Sequence, residues 1–302
     1  MKTLRMVGVE PTLFKIRERS EKKFRQFGYD ERYRNIDITE ALERKNPMLI
    51  VAAAKNFAPQ TDVLWAHGAA LVVHDPTELK NLPPDVPNSD RVIVVRKIGQ
   101  TYLPKATFIR HPYVRVQEPE YVERTRNAVS VSRVDFDKHT NILLDANRLL
   151  PESKRITIRG FENRIYTRFK IVPKYPEWVQ SVGHFPRGQN EAFKLLQEHV
   201  FHVDMSEIKG DGGGTQYTFL EAWDAGTVNV INKAWVREAD DMVPGANCLD
   251  ARNAEELAAI LAGGTLTKDQ LSDIRYRGYA QLALHHPGVV GAEYKGFLRG
   301  LR

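Results

Sequence analysis

Apolar positions along this chain alternate between short uninterrupted runs and longer stretches with helical spacing. Residues 4–9 read as a buried strand. Residues 12–27 read as a helix ending near Gly28, because Leu13, Ile16, Phe24 and Phe27 fall on one helical face. Short apolar runs recur at 48–53, 70–74 and 92–95, and the proline-rich stretch 81–90 reads as a loop. Between 111 and 126 the pattern lapses, as an interdomain linker would. A second series follows, with strands at 128–134, 155–159, 200–203 and 227–231 and helices at 141–150, 189–199 and 215–224. Asn253 is placed to cap a helix over 255–262, and Thr267 with Gln270 has capping-box spacing. Strands interleaved with helices, without hairpin signals, predict an α/β protein with parallel, doubly wound sheets. We expect two Rossmann-like domains facing across a cleft, 1–125 and 126–302, the second carrying the C-terminal helices. Ligands in such sheets sit at the carboxyl ends of the strands.

Composition agrees with that division. The chain has 302 residues, more than one core usually carries, so two domains of about 150 residues are expected. Hydrophobic and charged fractions of 42% and 27% exclude disordered, collagen-like and disulfide-scaffold classes. Lone Cys248 excludes an internal disulfide and a cysteine-cluster zinc site, and suggests a reducing compartment. The longest apolar run, 48–54, is far shorter than the roughly 20 residues of a membrane helix, and the N-terminus lacks a signal-peptide stretch. A soluble cytoplasmic protein with no membrane partner is the expectation.

Charge sharpens this. Net charge is +6; residues 1–125 hold 21 basic and 16 acidic residues (+5), the remainder 23 and 22 (+1). Much of the excess lies in Lys15, Arg17, Arg19, Lys22, Lys23 and Arg25, against Glu18 and Glu21. That run fits either a polyanionic partner or a solvated helix face.

Two segments carry candidate chemistry. In the first, a glycine-rich turn through Gly213 and Gly214 leads by Thr215 into a helix. Glycines let backbone approach an anion, and free amides with the helix dipole favour phosphate. Glu221, about two turns into that helix, could accept both hydroxyls of a ribose. The other reading is a flexible loop before an ordinary helix. In the second, Arg133 and Lys138 follow a strand end and can converge on a diphosphate, a planar fork beside a point charge. Asp135 and Asp137 between them imitate a metal-binding Asp-x-Asp, but acidic residues opening a helix are commoner. We therefore assign no metal site, while a divalent cation stays an alternative. Tyr217, Trp223 and Trp235 read as core, and Cys248 as no nucleophile.

Together these segments resemble the second half of retaining, family-4-type GT-B glycosyltransferases. That family's "gRl…KG" turn corresponds to Ser132-Arg-Val-Asp-Phe-Asp-Lys138, and its "LEAmA.G.PVV" unit to Leu220-Glu-Ala-Trp-Asp-Ala-Gly-Thr-Val-Asn-Val230. The stretch from Val243 to Leu257 is similar to its tail, so the likeness spans roughly 128–263. One departure stands out: a family glutamate eight residues before the ribose glutamate is replaced by Gly213. Phage DNA α-glucosyltransferases, which modify hydroxymethylcytosine, are the most similar branch. Their "GlER" segment resembles Gly160-Phe-Glu-Asn-Arg164, adding Gly160 and Arg164 to the implied donor site, and their "HD" pair resembles His74-Asp75. The resemblance implies that Asp75 receives an acceptor proton while His74 touches sugar or phosphate. Asp75-Pro76-Thr77-Glu78 is also a good helix start with Asp75 as N-cap.

The expectation is a glycosyltransferase with no bound cofactor, using a nucleotide diphosphate sugar, most simply UDP-linked, as co-substrate. The resemblance implies retention of anomeric configuration and a hydroxymethyl base in DNA as acceptor, flipped out or single-stranded. Gly8, in the first strand-to-helix turn, and Lys15, Arg19 and Lys22 are the acceptor or DNA contacts. A transferase for surface polysaccharide or lipid-linked sugar, and a non-catalytic nucleic-acid-binding protein, are the alternatives.

Overall fold

The computed structural model describes residues 14–16, 34–36, 38–43, 47–51, 58–116, 124, 126–178, 182–183, 191–208, 212–237, 240–264 and 266–301. Strand 4–9, Gly8, Arg19 and Lys22 lie outside these. The chain divides into two units, residues 1–112 with 285–302 and residues 113–284.

In the first unit, β1 (Phe14–Ile16) pairs in parallel with β2 (Arg34–Ile36). This corrects the expected helix over 12–27, at least where it is described. Phe14-Lys15-Ile16 also alternates apolar and polar, and a run this short cannot tell the two periods apart until a neighbouring strand pairs with it. Lys15 thus stands on a strand. A short helix α1 (Ile38–Leu42) follows, then a four-stranded sheet in the order β3 (Leu49–Ile50), β4 (Ala70–Val73), β5 (Val92–Val94), β6 (Thr107–Phe108), every pair parallel. All four β4 residues are buried, as a parallel strand covered on both faces requires. One face, through Leu71, Val73, Val92 and Val94, packs on Trp65 of α2 (Ala58–Ala66). The other, through Val72, Ile93 and Ile109, packs on Val290 and Tyr294.

Those last two residues, four apart, belong to the C-terminal helix, which is why residues 285–302 join the first unit rather than the second as expected. The first boundary also differs from the expected 125/126. Tyr113 Oη (3.1 Å), Arg115 Nε (3.1 Å) and the Val116 amide (2.9 Å) all donate to the buried carboxylate of Asp224, tying the supposed linker to the second unit. Burial and Asp224 together push the Tyr113 phenol well above its ordinary pKa.

The second unit holds a six-stranded, fully parallel sheet. Its strands are β7 (Arg126–Val131), β8 (Ile156–Arg159), β9 (Val182–Gly183), β10 (His199–Asp204), β11 (Val228–Asn232) and β12 (Leu249–Ala251). They lie in the order β9-β8-β7-β10-β11-β12. Numbered within the unit, that is the doubly wound order 3-2-1-4-5-6. Helices α3 (Thr140–Leu149), α4 (Glu191–Gln197), α5 (Tyr217–Asp224), α6 (Ala254–Ala262) and α7 (Lys268–Gln281) accompany it. The C-terminal helix of the first unit is α8 (Pro287–Gly300). Leu143 and Leu144 of α3 and Leu257 and Leu261 of α6 share one core with β7, β8 and β10. Each fully buried leucine contributes about 1.5–3 kcal/mol. Phe193 and Leu196 of α4 and Ala222 of α5 cover Val129 and Val131 from the other side. The local helix starts are as the sequence predicts: Asn253 Oδ1 accepts the Glu256 amide at 2.9 Å, and Thr267 and Gln270 cap each other reciprocally.

Candidate active site

The second sheet winds in opposite directions from β7 and β10, so the carboxyl ends of these adjacent strands open a crevice, the usual ligand position in such sheets. Both candidate segments of this half lead there. After β7 the chain turns through 132–138, held to the end of β8 by Val134 N to Phe161 O (3.0 Å) and Asn163 N to Val134 O (2.9 Å). Gly160 makes this approach feasible: a Cβ there would lie 1.6 Å from the Ser132 carbonyl oxygen. Asn163 donates from Nδ2 to Asp135 (2.9 Å) and caps the following helical turn, on which Arg164 is exposed. In the structure Gly160 shapes the turn through backbone packing.

Arg133 and Lys138 stand in different settings. The Arg133 side chain is 58% exposed, with its guanidinium 3.2 Å from Asp135 and 3.0 Å from Asp137. The two aspartates of the metal-like motif therefore converge on Arg133, and Asp135 also accepts the Phe136 amide. Lys138 is only 10% exposed. Its ammonium donates to Ser206 Oγ (2.7 Å) and Gln216 Oε1 (3.4 Å) and lies 3.9 Å from Asp204. It joins the end of β10 to the residue preceding α5. Asp204 also accepts the Ser206 amide and hydroxyl. Sequence reasoning passed over Asp204, Ser206 and Gln216; their signal was a strand running directly into Asp-Met-Ser.

The glycine turn is rigidly packed. Gly213 and Gly214 have φ of +90° and +109°, a region L side chains rarely adopt. A Cβ on Gly213 would lie 2.3 Å from the Trp235 carbonyl oxygen, so no side chain fits where the family glutamate stands. That same carbonyl accepts the Gly214 amide at 3.3 Å, and the Trp235 indole donates to Gly214 O at 2.8 Å. The Gly214 amide, expected to face phosphate, is thus committed to Trp235, and the Thr215 hydroxyl to Asp240 O at 2.7 Å. Past the turn, Glu221 is half-buried in α5, and burial pushes its carboxyl above the ordinary carboxylate range. No cation or donor holds its side chain among the described residues. Buried Gln216 Nε2, Asp204 Oδ2 and Thr218 Oγ1 likewise have no hydrogen-bond partner among them. Polar atoms left so at a switch point fit a ligand that brings donors and acceptors.

In the first unit, His74 follows β4. Its amide donates to Glu78 Oε2 (2.9 Å), its Nδ1 lies 3.4 Å from Glu78 Oε1, and Arg96 Nε donates to its carbonyl (2.9 Å). His74 stacks near His111, ring centroids 6.2 Å apart. Burial, then His74, His285 and Arg96, hold His111 at a pKa of about 3, so it is neutral. Asp75 realises the capping alternative: Oδ1 accepts the Thr77 amide at 2.8 Å and also its hydroxyl, with Pro76 in the first turn. The carboxylate touching His74 is Glu78, which sequence reasoning had not singled out. Gly8, Arg19, Lys22 and the Lys15 side chain lie outside what is described. Among the described residues, no cluster of three or more His, Cys, Asp or Glu could hold a metal ion.

Two units built on parallel sheets, the second wound 3-2-1-4-5-6 with a basic turn and an acidic helix at its switch point, have the GT-B glycosyltransferase fold. Anabaena Alr3699/HepE in complex with UDP is similar over 87% of this chain and 80% of its own, with TM-score 0.67 and 16% identity. S. aureus TarM, in complex with fondaparinux, α-GlcNAc-glycerol and UDP, has TM-score 0.68 and 12% identity over 86% of this chain and 58% of its own. The pneumococcal O-GlcNAc transferase GtfA, with UDP and GlcNAc, has TM-score 0.58 and 12% identity over 87% of this chain and 58% of its own. No protein-family model and no curated protein matches the sequence.

Proposed function

We propose that this chain is a retaining glycosyltransferase that binds a UDP-sugar in its second unit and transfers the sugar to a hydroxyl of a polysaccharide or lipid-linked glycan. The observation that carries this reading is the bonding of Lys138, in the turn after β7 that also bears Arg133, to Ser206 past β10 and to Gln216 at the start of α5, the helix on which Glu221 stands. Exposed Arg133 exchanges Asp135 and Asp137 for diphosphate oxygens, while Lys138 supplies a fixed charge. The pair neutralises the charge that grows on the leaving diphosphate, where preorganised cations act most strongly. Glu221 accepts the ribose hydroxyls. In the first unit, Glu78 orients His74 through Nδ1, leaving Nε2 to meet a sugar hydroxyl or a phosphate oxygen. Asp75 stays a candidate proton acceptor through the oxygen not used in capping. UDP and glycan ligands in the structural neighbours support the donor and the acceptor class.

A second reading keeps hydroxymethylated DNA as acceptor, because residues 1–125 hold nearly all the excess charge, and the stretch from Lys15 to Arg25 sets six cations against Glu18 and Glu21. Incubation with labelled UDP-sugars and either glycan acceptors or hydroxymethylated DNA separates the two. Label entering only DNA would overturn the glycan acceptor. Absence of UDP binding, measured by calorimetry, would remove the transferase reading altogether and leave a binding-only protein.

A further inference from the structure

The segment after β8 is apolar on both sides. Arg164–Tyr166 begins as α-helix and Thr167–Ile171 continues as a π-helical turn. Tyr166 and Ile171 point inward, 3% and 1% exposed, into the core shared with α3 and α6. Ile165 and Phe169, four apart on the outside, are 64% and 63% exposed, and Val172 is 45% exposed. An exposed apolar face of this kind marks a surface that another body covers. The charge on the outer face says by what. Between 163 and 176 there are four cations, Arg164, Arg168, Lys170 and Lys174, and no acidic residue. Lys174 is paired with Asp145 at 3.2 Å. Arg164, Arg168 and Lys170 have no carboxylate partner among the described residues, and Arg168 sits 5.5 Å over the Phe169 ring.

We infer that this outer face docks on an anionic lipid surface, with Ile165, Phe169 and Val172 entering the acyl boundary and Arg168 and Lys170 at the headgroups. Aliphatic Ile165 and Val172 favour lipid over nucleic acid, since bases stack on aromatic rings and gain nothing comparable from branched aliphatics. Long basic side chains can lay their stems along the apolar face and keep their charges among headgroups. The expectation of no membrane partner came from the lack of a long apolar run, and no described helix is long and apolar enough to cross a membrane. A segment lying on the surface needs neither. Phe136, from the turn bearing Arg133 and Lys138, packs edge-on against Tyr166 at 4.7 Å and is itself 48% exposed. Docking would therefore hold the carboxyl edge of the second sheet at the membrane. This deepens the proposed function by placing its glycan acceptor on a lipid, and it rests on that reading only for the acceptor.

The test is flotation of the full chain with phosphatidylglycerol–phosphatidylcholine vesicles and with phosphatidylcholine alone. Wild type is expected to float with the anionic vesicles and much less with the neutral ones. The I165S/F169S variant should bind roughly 10- to 100-fold more weakly. The R168Q/K170Q variant should bind roughly 25-fold more weakly, each charge being worth about a factor of five at an anionic surface. All four residues are exposed, so thermal melts and UDP affinity should match wild type. No preference for anionic vesicles, or unchanged flotation of both variants, would overturn the proposal. So would oligonucleotide binding without vesicle binding, lost in R168Q/K170Q, which would assign the face to nucleic acid. UDP affinity, read in parallel, reports on the donor site separately: its absence in wild type would sink the donor reading and leave the vesicle result intact.

Discussion

Replacing Gly213 by alanine adds one methyl group, and the structure says what it meets. At φ of +90° the backbone itself disfavours an L residue, at a cost of about 1–2 kcal/mol. The new Cβ would stand 2.3 Å from the Trp235 carbonyl oxygen, so ordinary contact requires a backbone displacement of roughly 1 Å in a packed interior. That carbonyl holds the Gly214 amide, and the Trp235 indole holds the Gly214 carbonyl at 2.8 Å. Straining these two hydrogen bonds, worth about 1 kcal/mol each, brings the total to about 2–4 kcal/mol. In thermal unfolding that is a drop of roughly 5–15 °C for a unit of this size. Two other glycines separate the causes. Gly245 shares a positive φ of +75° but has nothing within 4 Å of an added Cβ, so Gly245→Ala should cost only the backbone part, about 1–2 kcal/mol. Gly296 lies in α8 with open space around it, and Gly296→Ala should be neutral or stabilising by up to about 1 kcal/mol. If Gly213→Ala proved no more costly than Gly245→Ala, the argument that Trp235 excludes a side chain would be refuted. The same geometry predicts that Gly213→Glu fails to restore the family's carboxylate and unfolds more readily than Gly213→Ala.

Arg133→Ala should weaken UDP binding roughly 10- to 100-fold with little change in melting temperature, because its present ion pairs are exposed. Lys138→Ala should weaken UDP binding and also destabilise by about 1–3 kcal/mol, since Ser206 and Gln216 lose their donor and buried Asp204 its neighbouring cation. Equal melting temperatures for the two variants would argue against a structural role for Lys138. Glu221 has a pKa raised by burial, and ribose hydroxyls donating to its carboxylate would lower it in the complex. UDP affinity should therefore be full above the free-form pKa and fall as pH drops through it, a dependence that Glu221→Gln abolishes. A flat calorimetric profile in wild type would remove the ribose contact. Tyr294→Ala, which strips α8 of a side chain packed on Val72 and Ile93, should destabilise the first unit by about 3–5 kcal/mol. An unshifted first transition in calorimetry would mean that residues 285–302 do not stabilise that unit.

Local features were legible from the sequence because their causes are local. The Asn253 cap and the Thr267–Gln270 box depend on residues three apart, and most of the alternating strands and helices of the second unit follow from patterns within a dozen residues. Arg133, Lys138 and Glu221 were legible as residue types suited to a diphosphate and a ribose. The tertiary structure decided where contacts between distant residues compete with local preference. Phe14–Ile16 became a strand through pairing with 34–36, although its spacing also suited a helix. Asp75 and Glu78 are three residues apart, yet only the folded turn shows one capping Thr77 and the other holding His74. Lys138 meets Ser206 and Gln216 because β7 and β10 are neighbours in a doubly wound sheet, an order that no local pattern encodes. Gly213 looked like a lost carboxylate in sequence and proves to be a position closed by the Trp235 backbone. The C-terminal helix joins the first unit because Val290 and Tyr294 fill the open face over Val72 and Ile93. Sequence alone thus determined which elements form and which residues carry suitable chemistry. Pairings between residues far apart in the chain, whose partners exist only once the sheets close, determined which of them act together.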